Sequence, residues 1–277
     1  MSALCRVLGV SRSGYYGWRD RVDGEPVGRA AADREALAQI RVVHDAFGYY
    51  GSPRVHQELL ARGCRIGRHR VARLMRCNGI RARRGRLKSR PRSAPPARRP
   101  EIGDLVQRDF HADVPNALWF TDLTMIRTGQ GWLYAAVVLD AFSRQVVGYT
   151  VADRETPSTV LTALTEAIRS RRPPAGCIIH SDRGYQFTSH EWLKTATDAT
   201  MIVSIGARKS ALDNATMESW FASYKNEELY PYGQPATRDD ARQRLFKYIW
   251  EYNTRRRHSS LGYVPPRTFE TESSTCP

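Results

Sequence analysis

Hydrophobic positions recur with a helical period over the first eighty residues and with a strand period after about residue 117. Leu37, Ile40, Val43 and Phe47 predict a helix over 33–47, with Asp33 placed to cap its start. Gly48 and Gly51 break it, and Ser52-Pro53 opens a helix through residue 60 whose Val55 and Leu59 face inward. After a turn at 62–66, a helix over 67–77 buries Val71, Leu74 and Met75 and exposes Arg68, Arg70, Arg73 and Arg76. Helix, short turn, basic helix is the outline of a helix-turn-helix, an outline shared by other small helical bundles. Upstream, Leu4 to Tyr16 reads as a short apolar helix, a glycine turn and a Ser-led second helix ending near Trp18.

Beyond residue 105 the pattern becomes that of an α/β domain. Strands are predicted over 117–124, 132–140 and 146–151 as a meander, then a helix from Pro157 to about residue 170 and a strand ending at Asp182. A helix over 191–199, a fifth strand over 201–205 and a helix bearing Glu218, with Asp213 as its cap, complete the series. Three sequential strands followed by alternating helices and strands describe a mixed five-stranded sheet flanked by helices on both faces. The expected organisation is a small all-α helix-turn-helix-like module at 1–80 and a basic Pro-rich linker at 81–104. An α/β core follows at 105–235, with a C-terminal helix and basic tail at 236–277 packing on it.

Charge sharpens that division. Residues 1–50 carry 7 Lys and Arg against 6 Asp and Glu, residues 51–100 carry 16 against 1, and residues 101–277 carry 20 against 21. The net excess of +15 therefore sits in one segment, and Arg supplies 15 of its 16 cations. A merely solvated face mixes both signs, whereas this is the footprint of a polyanion-binding module, and the guanidinium fork suits phosphate. Arg68, Arg70, Arg73 and Arg76, with Arg83, Arg84, Arg86 and Lys88 in the linker, are the candidate DNA contacts. No run of 18 apolar residues and no charged-then-apolar leader is present, and five scattered cysteines fit free thiols in the cytoplasm.

One carboxylate breaks an apolar run. An ionised carboxylate leaving water needs a charge partner or a metal, so Asp122, within Trp119-Phe120-Thr121-Asp122-Leu123-Thr124, is a surface residue at a strand end or a ligand. Asp182 closes a second apolar run, and Glu218 follows on a helical stretch with 35 residues between it and Asp182. Two carboxylates at strand ends and one on a helix make a donor set for divalent cations, because hard oxygen ligands match a hard ion.

Thr121 to Thr124, His180-Ser181-Asp182-Arg183-Gly184-Tyr185-Gln186-Phe187-Thr188-Ser189 and Asp213-Asn214-Ala215-Thr216-Met217-Glu218-Ser219 resemble the three catalytic segments of retroviral-integrase-like DDE transposases. More narrowly, the chain resembles the second-frame product of the insertion-sequence-three family of bacterial mobile elements. The 35-residue gap, Tyr252-Asn253 followed by Arg256, His258, Ser259, Ser260, Leu261, Gly262, Tyr263 and Pro265, and Phe47 to Val55 carry that resemblance over nearly the whole chain. It departs at Lys209, Ser210 and Ala211 in the loop before the Glu218 helix.

The resemblance implies a ribonuclease-H-like core that cuts and joins DNA with two Mg²⁺ ions about 4 Å apart, Mn²⁺ substituting. Asp122 would bridge both ions, Asp182 hold one and Glu218 the other. Asn214 and Lys225, four residues before and seven after Glu218, fall on its helix face as phosphate contacts, although Lys225 also reads as a plain exposed lysine. Arg183 and Gln186, after the fourth strand, and Arg256 and His258 near the C-terminus are further candidate DNA contacts, while His180 reads as a core histidine or a proton relay. Implied partners are DNA, both element ends and target, a second copy of the chain when DNA-bound, and a first-frame protein or frameshift fusion; no membrane is implied. A DNA-binding regulator and a ribonuclease-H-type nuclease that cuts without joining are the alternatives.

Overall fold

In the computed structural model, described over residues 2–23, 28–83, 102–206 and 214–274, strand β1 (Leu118–Thr128) is buried almost throughout because helices cover the sheet from both sides. Residues of a strand alternate between faces. Phe120 and Ile126 therefore pack into one apolar layer, and Trp119 and Leu123 into the other. β2 (Gly131–Asp140) and β3 (Val146–Ala152) extend the sheet antiparallel on one side of β1, while β4 (Ile178–Ser181) and β5 (Ile202–Ile205) extend it in parallel on the other. The order is β3-β2-β1-β4-β5. The hairpin carries β1 four residues past the predicted end at 124, since Thr128 still pairs with Gly131.

α6 (Pro157–Arg171) and α7 (His190–Asp198) close the Trp119 layer. The Phe120 layer is closed by α8 (Ala215–Tyr224) and α10 (Arg238–Thr254), the latter capped by the Thr237 hydroxyl, which accepts the Asp240 N–H at 3.0 Å. Between them α8 runs on through a π turn at Lys225–Leu229 and a last turn, α9 (Tyr230–Tyr232), and α11 (Pro266–Ser274) follows α10. The predicted cap Asp213, the loop residues Lys209 to Ala211, and the candidates Arg84, Arg86 and Lys88 lie outside the described residues. No helix among the described residues is long and apolar enough to cross a membrane.

By contact the chain divides into units Met1–Arg83 and Arg84–Pro277. The first contains α1 (Ser2–Val7), α2 (Arg12–Asp23), α3 (Arg29–Ala46), α4 (Ser52–Ala61) and α5 (Arg68–Cys77). Ile40, Val43, Val55, Leu59, Val71 and Leu74 form the core shared by α3, α4 and α5. Two local expectations need correction. Gly51 is the N-cap of α4, with Ser52 in its first turn. α3 begins at Arg29, so Asp33 is no cap. Instead its carboxylate accepts from Arg70 Nε and Arg73 Nη2, each at 2.6 Å, and binds α3 to α5. Two of the four α5 arginines expected on an open face are thus engaged, while Arg68 and Arg76 stay exposed.

The Arg73 and then the Arg70 hydrogen bonds hold the Asp33 carboxyl below the usual carboxylate range. A depressed folded-state pKa contributes stability above the unfolded value near 4, which is lost as pH falls toward the folded value. Thermal melts of the helical unit are therefore expected to lose transition temperature below about pH 4, and Asp33→Asn to lower it at pH 7 and flatten that acid limb; an unchanged acid limb in the variant would exclude this pair as the cause.

Candidate active site

The parallel pairing of β1 with β4 sets Thr121 opposite Ser181, so the next residues, Asp122 and Asp182, stand at neighbouring positions across the two strands. Alternation then assigns them a face. Phe120 belongs to the layer under α8, and His180 packs edge-on against Phe120 with ring centroids 5.9 Å apart, so Asp122 and Asp182, each two residues on, belong to that side as well. Glu218 lies in the first turn of α8. The start of that helix is tied to β1, because Asn214, its N-cap, donates Nδ2–H to the Thr121 carbonyl at 3.2 Å.

One end of the sheet, on one face, thus receives all three carboxylates. They are not drawn into a cage: among the described residues no three His, Cys, Asp or Glu side chains stand close enough together to hold a metal ion. Each aspartate accepts a backbone N–H instead, Asp122 Oδ1 from Leu123 at 2.7 Å and Asp182 Oδ1 from Gly184 at 2.8 Å, and Glu218 is exposed. The loop after β4 is tight. A Cβ on Gly184 would come within 2.9 Å of Asp182 Oδ1 and 2.7 Å of Gln186 Oε1. Two buried oxygens have no hydrogen-bond partner among the described residues, Asn214 Oδ1 at the start of α8 and Ser181 Oγ on the opposite face of β4 from Asp182.

The other sequence candidates fall into distinct settings. Lys225 is half-buried where α8 passes into the π turn, seven residues after Glu218. Arg183 is exposed and donates Nε–H to the Gly206 carbonyl at 2.7 Å. Arg83 is exposed, and its backbone N–H bonds the Gly48 carbonyl at 2.8 Å. Gln186 is buried and donates to the Glu155 carboxylate, which corrects its placement as an open DNA contact. His180 is a core residue, bonded through Nδ1 to Ser204 Oγ at 2.9 Å. His258 is half-buried, with Nδ1 2.8 Å from Ser260 Oγ, and its carbonyl closes the turn to Leu261 and Tyr263.

Arg256 is the plainest correction. It is 2% exposed and bonds both oxygens of the buried Glu227 at 2.7 and 2.6 Å, so it has no face to offer DNA. The Tyr248 hydroxyl donates to Glu227 Oε2 at 3.1 Å, and the Arg256 guanidinium lies 5.3 Å from the Tyr252 ring centroid. Burial alone would lower the Arg256 pKa, but Tyr248 and Glu227 outweigh it and raise it. Next door, burial pushes the Glu228 carboxyl up despite the Arg244 Nε–H bond at 3.0 Å. Sequence reasoning missed Glu227 altogether, because its partner lies 29 residues downstream. Glu227 sits in the π turn that continues α8, so this pair anchors the far end of the helix that carries Glu218.

With this geometry in view, the comparisons are specific. Integrase core domain models match residues 112–211 and 200–266, and an HTH-like domain model matches residues 31–88. The Shigella sonnei insertion element IS600 31 kDa protein is 37% identical, over 96% of this chain and 97% of its own length. The Escherichia coli transposase InsF for insertion sequence IS3fB is 36% identical, over 99% of this chain and 94% of its own. A simian T-cell lymphotropic virus intasome chain shares the fold at 17% identity, with a TM-score of 0.53 over 86% of this chain and 76% of that one.

Breaking a buried ion pair from one side leaves an uncompensated charge and costs about 3–5 kcal/mol, whereas replacing both partners by apolar groups is often neutral. Arg256→Ala and Glu227→Ala are each expected to lose about that much stability in denaturant titrations, and Glu227→Leu/Arg256→Met to recover most of it. A single variant as stable as the parent would remove the pair from the supports of α8.

Proposed function

The chain belongs to the IS3 family of insertion-sequence transposases, polynucleotidyl transferases of DNA integration, and from that membership we propose that Asp122, Asp182 and Glu218 form its strand-cleaving and strand-joining centre. The observation that carries this is the β1–β4 register, which sets Asp122 beside Asp182 on the face covered by the helix of Glu218.

The donor set fits a divalent cation. Three carboxylates are hard oxygen ligands, and the unpartnered Asn214 Oδ1 at the start of α8 adds a further oxygen on that side. Asp122 would bridge two Mg²⁺ ions, with Asp182 on one and Glu218 on the other, and Mn²⁺ would substitute. When bound, the cations supply neutralisation of charge on the attacking and leaving oxygens of an in-line phosphoryl transfer. The chain's own part is positioning. Asn214 holds the start of α8 against β1 through the Thr121 carbonyl, and Lys225, on the Glu218 side of the helix, meets substrate phosphate. Exposed Arg68, Arg76 and Arg183 are the proposed backbone contacts, with element ends and target DNA as substrates. The acting form on DNA is an oligomer of this chain, alone or fused by frameshifting to a first-frame protein. The attacking group is water in cleavage and a DNA 3′-hydroxyl in joining, so no covalent protein intermediate forms.

Asp122→Asn, Asp182→Asn and Glu218→Gln are each expected to reduce joining of a supplied 3′-hydroxyl end by several orders of magnitude while DNA affinity stays within a few-fold. EDTA should abolish joining in the parent, and Mg²⁺ or Mn²⁺ restore it. Near-normal joining by any one variant removes that residue from the centre, and metal-dependent cutting without joining identifies a nuclease instead.

A further inference from the structure

Residues 2–23 precede the segment matched as HTH-like, 31–88, and form a helix pair of their own. α1 ends at Val7 and the chain turns through Leu8-Gly9-Val10, with Gly9 at φ 67°, a left-handed conformation that glycine adopts without strain. Three successive N–H groups close this turn on α1, Leu8 to the Leu4 carbonyl at 3.0 Å, Gly9 to Arg6 at 3.4 Å and Val10 to Cys5 at 3.0 Å. Ser11 then starts α2 as a cap. Its hydroxyl accepts the Gly14 N–H at 3.0 Å and its carbonyl the Tyr15 N–H at 2.9 Å. A turn this short, fixed from both sides, sets the angle between the two helices, which is the construction of a helix-turn-helix.

The sides of α2 differ in chemistry. Tyr15 and Trp18, ring centroids 6.1 Å apart, form an apolar side, and Leu4, Leu8 and Val10 add apolar surface from α1 and the turn. Away from Trp18, at one hundred degrees per residue, lie Arg12, Ser13 and Tyr16, with Arg19 and Gly17 at the two margins of that side. Arg12, Ser13 and Arg19 are exposed, and the Arg19 guanidinium stands 4.8 Å from the Tyr16 ring centroid, a planar cationic surface. Gly17 is informative because glycine inside a helix is unfavourable relative to alanine, yet a Cβ there would meet nothing within 4 Å. No atom of the described residues would crowd a Cβ there, and glycine leaves room for close approach by an outside backbone.

We propose that α1 and α2 form a second duplex-DNA-binding helix-turn-helix, separate from α4 and α5, with α2 entering the major groove, Arg12 and Arg19 on phosphates along one margin and Gly17 giving room for a groove wall along the other. The inference rests on the transposase reading only for its choice of DNA as ligand, and its test reads binding without joining, so either can fail alone.

The test is fluorescence anisotropy of the full chain with a short labelled mixed-sequence duplex over a salt series, in metal-free buffer. Losing two phosphate contacts lowers the slope of log affinity against log salt by about 2. Arg12→Ala/Arg19→Ala should show that reduction and weaken binding about tenfold or more at moderate salt. Its effect should add to that of Arg68→Ala/Arg76→Ala on α5. Gly17→Ala should weaken binding while the melting temperature stays level or rises. Parent affinity and slope in the arginine pair overturn the proposal. If that pair loses its thermal transition as well, Gly17→Ala decides, and parent-like binding by that variant overturns the proposal.

Discussion

Thr121 faces Ser181 across two parallel strands, and the end of the sheet that carries Asp122 and Asp182 is arranged from that pairing. A slip of one residue would turn a strand's side chains to the opposite face, sending Asp122 toward α6 and α7 while Asp182 stayed under α8. The register is held by burial. Trp119 and Phe120, fully buried on opposite faces of β1, cannot exchange places without emptying both layers. β1 also supplies the oxygen that receives the start of α8, since the carbonyl bonded by Asn214 belongs to Thr121 itself.

Around that pairing the sheet's two faces divide their work. The Trp119 layer, closed by α6 and α7, is apolar packing that fixes the level of β4. The Phe120 layer carries the acidic groups at its rim and beneath them an aromatic stack of Trp220, Tyr224, Tyr248 and Tyr252 joining α8 to α10. The helix bearing Glu218 has anchorage at both ends. Asn214 provides it at the start and the Glu227–Arg256 pair at the π turn.

Much of this was legible in the residues. The alternation of β1 and the apolar run before Asp182 announce strands, and carboxylates at strand ends announce chemistry, because each contradicts the burial its neighbours demand. What escaped was long-range. Asp33 has the composition of a cap, and only the start of α3 at Arg29 with the approach of α5 turns it into a partner for Arg70 and Arg73. Arg255-Arg256-Arg257-His258 reads as a basic cluster for DNA, yet Arg256 is interior because Glu227 and Tyr248 await it there. The π turn has no compositional signature, since one extra residue in a helical turn leaves the amphipathic pattern of its neighbours intact. Gln186 looked open because its loop is polar; its partner Glu155 lies 31 residues upstream.

The Glu227–Arg256 pair also bears on how the protein is made. Glu227 emerges from synthesis 29 residues before the arginine that neutralises it. Until then the π turn holds a carboxylate that cannot enter the interior without a counter-charge, and α8 has a loose distal end. The helix that carries Glu218 therefore gains its distal anchor late in translation, after every strand of the sheet has been made. A nascent chain has made the whole of its HTH-like segment long before Arg256 emerges, so the helix that carries Glu218 is secured at its far end only after those helices are complete.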